Sequence, residues 1–593
     1  MRILRLFNAA ALCASVAASA MAQSGANAYY QHNLVADTAG VADFTDANLV
    51  NPWGIATSAT SPFWVNDAGT GLSTVYSSNG TVSATKVAVP PSAVGKAPSV
   101  ATGIVFNGTG GFAVAAGHNP NFIFCTADGA ISGWSSAVNA TNGILMVDNS
   151  SSGAIYYGMA ISSGTVGPYL YAANFHSGNI DVFDTNYKPV TLAGGFVDSK
   201  VPAGFAPFNI WNLGGKLYVA YAMQDSNKRY SVAGAGNGYL SVFDLNGNLL
   251  QHLISGGSLN APWGVAIAPA YFGAFSNDLL VGNFGDGAIN AFDPATGNSL
   301  GSLKDPSGNT IHISGLWALI LGNGGNGGDP NAVYFAAGTG NEQHGLLGSL
   351  QAAPAITSTS VGNAADGQAI IAPNTWISIY GANLAATTRA WTTKDFVNNA
   401  LPTAIDGVSV MVNGSPAYVG YVSPKQLNVL TPLGTSPAAP VAVQVTSNGL
   451  AGNVGNIADQ PYSPACFFFK DGPYVAALHS DNVTPVGPTT LFPNLSYPAK
   501  PGETIVIYGN GFGPTNPGVA SAAVNTGKLP LAAQATVLIG GTAAQQSFAG
   551  LVSPGLYQFN VTVPASTPNG DNSVVIQIGS FSSPQGALIS VQQ

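Results

Sequence analysis

Short apolar runs separated by polar turns fill the chain as far as residue 350, and they recur in one fixed order. In one copy the runs cover residues 158–161, 169–174 and 178–184, with Gly, Asn or Asp between them. Runs of this length, bounded by such turns, are typical of β-hairpins. The pattern therefore predicts three strands, and a fourth, in every copy.

A short phrase, aromatic in five of the six copies, marks the start of each copy. Residues 51–56 (NPWGIA) return as residues 261–266 (APWGVA), with weaker copies between and beyond them. The anchoring residues are Trp53, Thr102, Tyr157, Phe208, Trp263 and Trp317. Their spacing of roughly 50 residues is the period of propeller blades. A single four-stranded blade cannot bury both of its faces, whereas a closed ring of blades can. We therefore expect an all-β fold that begins with a six-bladed β-propeller, to whose last blade residues 32–35 add a closing strand.

These phrases also resemble known families. The phrase Pro-x-Gly-hydrophobic-Ala, with strand endings such as residues 241–244 (SVFD), resembles NHL-type six-bladed propellers. The stretch from Tyr30 through Tyr76 resembles a family of exported bacterial proteins of uncharacterised function, through residues 33–35, 44–46, 49–55 and 63–65. The resemblance covers Tyr30 to Leu350. It implies the fold and export, and it implies no activity.

The chain after Leu350 carries a twofold repeat of its own. Three phrases return in the same order: residues 376–384 match 504–512, residues 408–414 match 535–541, and residues 421–429 match 551–561. Alternating strands in units of about 120 residues predict two immunoglobulin-like β-sandwich domains. The region resembles the C-terminal IPT/TIG repeats of exported acidobacterial proteins, which implies display, spacing or adhesion. We place the propeller at residues 23–350 and the two sandwich domains at residues 351–468 and 469–593.

The first residues have the pattern of a signal peptide. Arg2 and Arg5 precede an alanine-rich apolar stretch, and residues 20–22 (AMA) fit a cleavage site. We therefore expect residues 1–22 to be removed and a secreted, periplasmic or cell-surface bacterial protein to remain. The alternative is an uncleaved membrane anchor. No later stretch is apolar over the length that a transmembrane helix requires.

Composition narrows the range of partners. Charged residues make up 7% of the chain, and the net charge is −9. Because phosphate binding needs clustered Lys and Arg, this balance argues against nucleic acid. Cys125 and Cys466 have no neighbouring partner in the sequence and are expected to be small buried apolar residues.

The sequence offers few residues for chemistry. No His-x-His or His-x-x-x-His pair is present, so a metal such as calcium or zinc would need ligands from several blades, and no cofactor is required by the sequence. The candidate ligands are Asp67, His118, His176 and Asp286. Turn formation next to glycine is the competing interpretation. Glu342 and His344 form a candidate acid–base pair, with a polar loop as the alternative.

Aromatic residues are the other candidates for binding. The repeated anchors form either a stacking ring at a channel mouth or packing between blades. Tyr271, Phe272 and Phe275 do not repeat and are expected to lie on an exposed loop as ligand-binding residues. The leading functional hypothesis is a non-catalytic exported scaffold that binds a protein or a carbohydrate on a propeller face. The alternatives are a lactonase or lyase with a metal at the axis, and a surface adhesion or matrix protein.

Overall fold

The structure, a computed structural model, describes residues 27–162, 167–434, 440–470, 472–519, 523–524 and 527–593. The signal peptide expected at residues 1–22 lies outside these ranges. The remaining chain forms two compact units, Asn27–Ala352 and Ala353–Gln593. We call the first the ring unit and the second the C-terminal unit. Both consist of β-strands joined by short turns, so the chain is all-β as predicted.

The ring unit contains 24 strands among its described residues. They are β1 (Tyr29–Ala36), β2 (Phe44–Thr45), β3 (Pro52–Ala56), β4 (Phe63–Asp67), β5 (Leu72–Tyr76), β6 (Val82–Ala88), β7 (Ala101–Phe106), β8 (Phe122–Thr126), β9 (Ala130–Trp134), β10 (Ile144–Asp148), β11 (Tyr156–Ile161), β12 (Leu170–Asn174), β13 (Asn179–Phe183), β14 (Phe205–Leu213), β15 (Lys216–Met223), β16 (Gly238–Phe243), β17 (Leu249–Ser255), β18 (Pro262–Ile267), β19 (Leu279–Asn283), β20 (Ile289–Phe292), β21 (Ser299–Ser302), β22 (Leu316–Leu321), β23 (Val333–Ala337) and β24 (Leu346–Ala352). A short helical turn, Thr339–Glu342, lies between β23 and β24.

These strands form six antiparallel meanders within the part of the ring unit that the structure describes. Four of them have four strands: β3–β6, β7–β10, β14–β17 and β18–β21. The meander β11–β13 has three strands and continues only as an isolated bridge between Phe183 and Pro189. In the last sheet β22, β23 and β24 are completed by β1, which pairs antiparallel with β24. The predicted closing strand is thereby confirmed, and it extends from Tyr29 to Ala36.

The first strand of each meander faces the centre of the ring. These inner strands are β3, β7, β11, β14, β18 and β22, and each contacts the next along the chain. Strand β22 also contacts β3, so the order of contacts is cyclic. The sheets therefore surround a common axis in a propeller-like arrangement, and pairing of β1 with β24 joins the two ends of the ring.

One hydrogen bond recurs at one end of this ring. The residue that follows the second strand of each meander donates its backbone N–H to the carbonyl of the residue just before the inner strand. The pairs are Ala68–Asn51 at 3.0 Å, Ala127–Val100 at 3.0 Å, Phe175–Ile155 at 2.8 Å, Gln224–Gly204 at 2.8 Å, Phe284–Ala261 at 3.0 Å and Gly338–Gly315 at 2.8 Å. These carbonyl residues mark the end of the ring where the inner strands begin, which we call the N face.

The C-terminal unit contains 22 strands among its described residues. They are β25 (Ala355–Asn363), β26 (Ile370–Ile371), β27 (Trp376–Ala382), β28 (Arg389–Ala390), β29 (Ala404–Ile405), β30 (Val408–Val412), β31 (Ser415–Pro416), β32 (Tyr418–Val422), β33 (Gln426–Leu430), β34 (Val441–Ser447), β35 (Leu450–Asp459), β36 (Ala465–Cys466), β37 (Ala477–Leu478), β38 (Thr504–Asn510), β39 (Leu529–Pro530), β40 (Ala535–Ile539), β41 (Thr542–Ala543), β42 (Gln545–Ser553), β43 (Leu556–Thr562), β44 (Gly570–Ile578), β45 (Phe581–Ser582) and β46 (Leu588–Val591).

Strand pairing in this unit follows the twofold repeat of the sequence. In the first half β27 pairs with β33 and β30 pairs with β34; in the second half β38 pairs with β43 and β40 pairs with β44. Each half buries a separate apolar cluster, one that includes Ile377 and Val429 and one that includes Ile505 and Val561. Strand β36 pairs with β38 and so belongs to the second half.

Both cysteines of the described chain are buried and unpaired, as expected. Burial raises the pKa of the Cys125 thiol to about 11 and that of Cys466 to about 12. No helix in the described ranges is long and apolar enough to cross a bilayer.

Candidate functional site

The anchors of the sequence repeat, which are five aromatic residues and Thr102, lie at irregularities of the inner strands. Each inner strand shifts its register against its neighbour at the anchor, for example between Pro262 and Gly264 and between Tyr156 and Gly158. The shifts in the other four inner strands contain Trp53, Thr102, Phe208 and Trp317. A β-bulge re-aims the side chain at the extra residue. The bulges therefore turn the five aromatic anchors toward the axis instead of leaving them on a sheet face.

At the axis these side chains pack against each other. The Trp53 ring stacks on the Trp317 ring with 3.5 Å between centroids, and it also contacts Tyr157 and Trp263 at 5.2 and 6.2 Å. Tyr157 and Trp263 belong to inner strands that are not adjacent to β3, so the contacts span the ring. Trp263 and Trp317 are each 1% exposed. This burial rules out an open stacking ring at a channel mouth and supports the packing interpretation. The packing joins meanders that are not adjacent in the ring as well as neighbouring meanders.

The N face above this aromatic core carries a chain of hydrogen bonds. Trp317 Nε1 donates to Asn51 Oδ1 at 3.1 Å, and Asn51 Nδ2 donates to Glu342 Oε2 at 2.9 Å. Burial raises the pKa of Glu342 above its ordinary value, although the residue as a whole is exposed. Nearby protein atoms thus partly desolvate the carboxylate, while the residue as a whole is accessible to solvent.

The backbone that presents Glu342 is strained. Asn341 and Glu342 have φ of 56° and 65°, in the left-handed region that favours glycine, and they follow Gly340 at 61°. Asn51, which binds the carboxylate, has φ of 48°. Residues other than glycine in this region cost about 1–3 kcal/mol each and concentrate at functional sites. The strain therefore marks the Asn51–Glu342 contact as a candidate site.

A cation and a further aromatic ring complete the centre of the N face. The Tyr157 hydroxyl donates to the carbonyl of Arg229, and Arg229 and Glu342 both act electrostatically on the pKa of Tyr157, which burial raises above its usual range. Phe284 stacks on Trp317 at 4.0 Å and is half-buried. Arg229 thus contacts Tyr157, and Phe284 contacts Trp317, which also donates to Asn51. We call Asn51, Tyr157, Arg229, Phe284 and Glu342 the N-face site.

The candidate acid–base pair is not brought together by a hydrogen bond. Glu342 is bound to Asn51, whereas His344 Nδ1 lies 2.9 Å from Asp37 Oδ2. Glu342 therefore enters the N-face site without His344. Asn51, Arg229 and Phe284 were missed by sequence reasoning. Asn51 precedes the repeated Pro-Trp-Gly phrase as Ala261 does, and the two residues share a left-handed backbone, with φ of 48° and 47°. Only the amide side chain of Asn51, which binds Glu342, distinguishes the two positions.

The four candidate metal ligands lie apart. Asp67 is buried at the end of β4, and His118 lies in an exposed turn at the end of the ring opposite the N face. His176 and Asp286 lie on the N face in turns of different meanders. Asp286 accepts hydrogen bonds from Asn260, Asn283 and the backbone of Ala288, which is the turn role that the sequence favoured. Among the described residues no three His, Cys, Asp or Glu side chains are grouped as a metal site.

Two of the three aromatic residues expected on an exposed loop are buried. Phe272 is 0% and Phe275 5% exposed, and both pack against Tyr29 at 4.7 and 6.1 Å between ring centroids. The expectation of exposure is therefore wrong for Phe272 and Phe275, because strand β1 covers their loop. Tyr271 is 39% exposed.

Comparison with known proteins gives relatives for about half of the chain. Uncharacterized protein R648 of Acanthamoeba polyphaga mimivirus is 34% identical over 327 residues, which is 54% of this chain and 78% of the viral protein. Uncharacterized protein L690 of the same virus is 32% identical over 327 residues and is covered to 84%. These relatives are viral, whereas the resemblance noted in the sequence was to bacterial proteins. No protein-family model matches the chain.

Solved structures give weaker similarities. A streptogramin B lyase is 11% identical, with a TM-score of 0.31, over 55% of this chain and 97% of its own. The soluble aldose sugar dehydrogenase of Escherichia coli is 10% identical, with a TM-score of 0.33, over 55% of this chain and 99% of its own. Both TM-scores are below 0.5.

Proposed function

This chain belongs to the family of the mimivirus proteins R648 and L690, and from that premise we propose that it is an exported binding protein whose N-face site takes a carbohydrate. The proposal includes a six-bladed β-propeller formed by the ring unit and two immunoglobulin-like domains formed by the C-terminal unit. Cyclic contacts of the six inner strands support the blade count, and duplicated strand pairing supports the two domains.

The observation that carries the binding role is the strained, hydrogen-bonded Glu342. A carboxylate held by Asn51, with one oxygen left for a ligand, accepts hydrogen bonds from hydroxyl groups. Arg229 donates hydrogen bonds, and the half-buried Phe284 offers an apolar surface to a sugar ring. A few convergent polar groups beside an aromatic surface are typical of small-molecule sites. A hydroxyl-rich ligand without a net charge fits this mixture of donors and acceptors.

The aromatic core argues for binding at the face and against chemistry at the axis. Trp53, Trp263 and Trp317 fill the position where a lactonase or lyase of the kind considered above needs metal ligands. We therefore do not propose axial metal catalysis. Export by residues 1–22 and display by the C-terminal domains remain part of the proposal, and the signal-peptide pattern and the IPT/TIG resemblance support them.

A glycan array and calorimetric titration test this function. The full mature chain is expected to bind at least one neutral oligosaccharide, and Glu342→Gln is expected to weaken that binding about tenfold or more, as for a lost charge-assisted hydrogen bond. Glu503→Gln makes the same chemical change at the only other glutamate, in the C-terminal unit, and is expected to leave binding unchanged.

Three results would count against the proposal. Absence of oligosaccharide binding, or equal binding by wild type and Glu342→Gln, overturns the N-face site. Binding that is retained by the isolated C-terminal unit but not by the ring unit indicates adhesion through the C-terminal domains instead.

A further inference from the structure

A second group of reactive side chains lies on the outer strands of the meander β14–β17 and on the loop that precedes β14. His252 Nδ1 is 2.6 Å from Asp198 Oδ2, and His252 Nε2 is 2.6 Å from Ser255 Oγ. The Ser241 hydroxyl also donates to Asp198 Oδ2 at 2.6 Å. One imidazole therefore connects a carboxylate to a serine hydroxyl through its two nitrogen atoms.

Local strand geometry explains how residues three apart reach the same side. On a regular strand His252 and Ser255 would point to opposite faces. Strand β17 shifts its register against β16, with Ile254 opposite Leu240 and His252 opposite Ser241, so Leu253 is an extra residue. The bulge places the side chains of His252 and Ser255 on the same face of the sheet. Their partners across the strand pair on that face are Ser241 and Tyr239. The serine–histidine spacing is thus a consequence of the bulge.

The carboxylate and the imidazole are buried, whereas the serine hydroxyl is exposed, and this gradient suits proton transfer at the surface. The side chains of Asp198 and His252 are 1% and 9% exposed, whereas Ser255 is exposed. Burial is the largest single influence on Asp198 and acts to raise its pKa, but hydrogen bonds from Ser241 and His252 outweigh it and keep the pKa below the ordinary value.

The ionised carboxylate fixes the tautomer of His252. Because a carboxylate only accepts hydrogen bonds, the proton of the neutral imidazole lies on Nδ1, and Nε2 is left to accept from Ser255.

The chain leaves Ser255 through two glycines. Gly256 and Gly257 have φ of 54° and 62°, so no side chain of the following two residues covers the hydroxyl. In the described structure the amide N–H groups of Gly257 and Ser258 donate to no protein acceptor, and both residues are exposed. Such amides, next to a nucleophile, are available to an anionic oxygen.

From this geometry we infer that Ser255, His252 and Asp198 form a serine-nucleophile site that hydrolyses esters of short carboxylic acids. The arrangement matches the roles by which nucleophile, base and orienting carboxylate are recognised on unrelated folds. Its open position on an outer strand suits a small acyl group, such as acetyl, better than a long chain that requires a deep pocket. This activity is independent of the ligand proposed for the N-face site.

The reaction balances with ester and water alone. Ser255 Oγ bonds to the acyl carbon while its proton passes to His252 Nε2, and the carbonyl electrons move onto oxygen. Collapse of this intermediate breaks the bond to the alcohol, which leaves with the proton from Nε2. Water then adds to the acyl-serine and gives its proton to Nε2. Release of the acid returns that proton to Ser255. Asp198 positions His252 and stabilises its charged form throughout.

Covalent labelling of the full mature chain tests the nucleophile. A fluorophosphonate probe is expected to modify Ser255 in the folded protein, located by peptide mass spectrometry, and p-nitrophenyl acetate is expected to be hydrolysed. Ser255→Ala removes an exposed hydroxyl and should fold normally. It is expected to lower the hydrolysis rate about 100-fold or more. Ser299→Ala, at an exposed serine on the outer strand β21 of the next meander, is expected to retain full activity.

The role of Asp198 requires a spectroscopic readout. In proton NMR the His252 Nδ1–H signal is expected at low field in wild type and to be lost in Asp198→Asn, while the labelled residue remains Ser255 at a lower rate. No labelling of Ser255 in wild type, or equal hydrolysis by wild type and Ser255→Ala, overturns the proposal. Labelling of Ser255 that is unaffected in folded His252→Gln overturns the role of the base.

Discussion

Asp67 is a carboxyl side chain at a position that two of its repeat partners fill with an amide. It ends β4, and the same position ends β12 with Asn174 and β19 with Asn283. Thr74 donates to Asp67 Oδ2 at 2.7 Å, but the buried Oδ1 has no hydrogen-bond partner among the residues that the structure describes. Burial, together with the nearby Asp46 carboxylate, raises the pKa of Asp67 well above its ordinary value.

Asp67→Asn is therefore expected to stabilise the ring unit at pH 7. A carboxyl whose pKa is higher in the folded state keeps its proton better when folded, so the wild type loses stability as pH rises from the unfolded value toward the folded one. The gain from Asn should be small below pH ~4 and grow with pH, to about 1 kcal/mol or more. Urea unfolding at several pH values measures it. Asp305→Asn, at an exposed turn, should show no such growth.

The sequence predicts the role of a single residue when its contacts are made by residues close to it in the chain. The turn role of Asp286 was predictable because its hydrogen-bond partners Asn283 and Ala288 are close in the chain. The burial of Phe272 was not predictable, because the residue that covers it is distant in the sequence. Tyr29 donates its hydroxyl to the Phe272 carbonyl and lies 243 residues away. The Asn51–Glu342 contact is likewise 291 residues apart.

Strands and their bulges account for the repeated phrase of the chain. Polar turns and apolar runs are local signals, so the strands were predictable. The bulge that turns each aromatic anchor toward the axis depends on pairing with a second strand, and the sequence alone did not distinguish axial packing from a ring of exposed aromatics. The structure explains why glycine follows the anchor. The neighbouring inner strand passes directly beside this position and leaves no space for a side chain.

Gly54→Ala tests that close approach. A Cβ at Gly54 would lie 2.7 Å from the carbonyl oxygen of Thr102 and 2.9 Å from Ile104 Cγ2, on the adjacent strand β7. Because both atoms belong to a packed sheet, the substitution should force β3 and β7 apart and cost about 1–3 kcal/mol in the free energy of unfolding. Chemical denaturation followed by circular dichroism measures the loss.

Gly108→Ala is the matched control for this substitution. Its added Cβ would meet only the Phe106 side chain, at 3.3 Å, and its backbone is not in the left-handed region. We expect a change within about 0.5 kcal/mol. Equal effects of the two substitutions would mean that contact between inner strands does not require glycine at position 54.

The chain as a whole follows from two repeats that the sequence displays at different periods. Repetition at roughly 50 residues predicted the ring, and the doubled phrases after Leu350 predicted a duplicated C-terminal unit. Function was less accessible, because each site depends on side chains that the repeat does not share, such as Glu342 in the N-face site and His252 and Ser255 on strand β17. A repeat identifies what each copy shares, whereas both sites depend on features that occur in one copy only.

Closure of the ring gives the last prediction. Strand β1 supplies Tyr29, Val35 and Ala36 to the buried core and covers the edge of β24. A fragment of residues 27–352 contains the whole ring core and is expected to unfold cooperatively as a monomer. A fragment of residues 37–352 lacks β1, exposes the unpaired edge of β24 and leaves Phe272 and Phe275 uncovered. Exposed edges pair with other chains, so this fragment is expected to aggregate or to lose its cooperative transition.

Size-exclusion chromatography and thermal unfolding compare the two fragments. Adding a peptide of residues 27–38 should restore the transition of the shorter fragment, because the peptide can pair antiparallel with β24. Gln31→Ala in that peptide, at an exposed side chain, should not affect the rescue, whereas Tyr29→Ala should weaken it. If residues 37–352 unfold with the same midpoint as residues 27–352, the ring does not depend on β1. The stability of the unit would then come from contacts between inner strands alone.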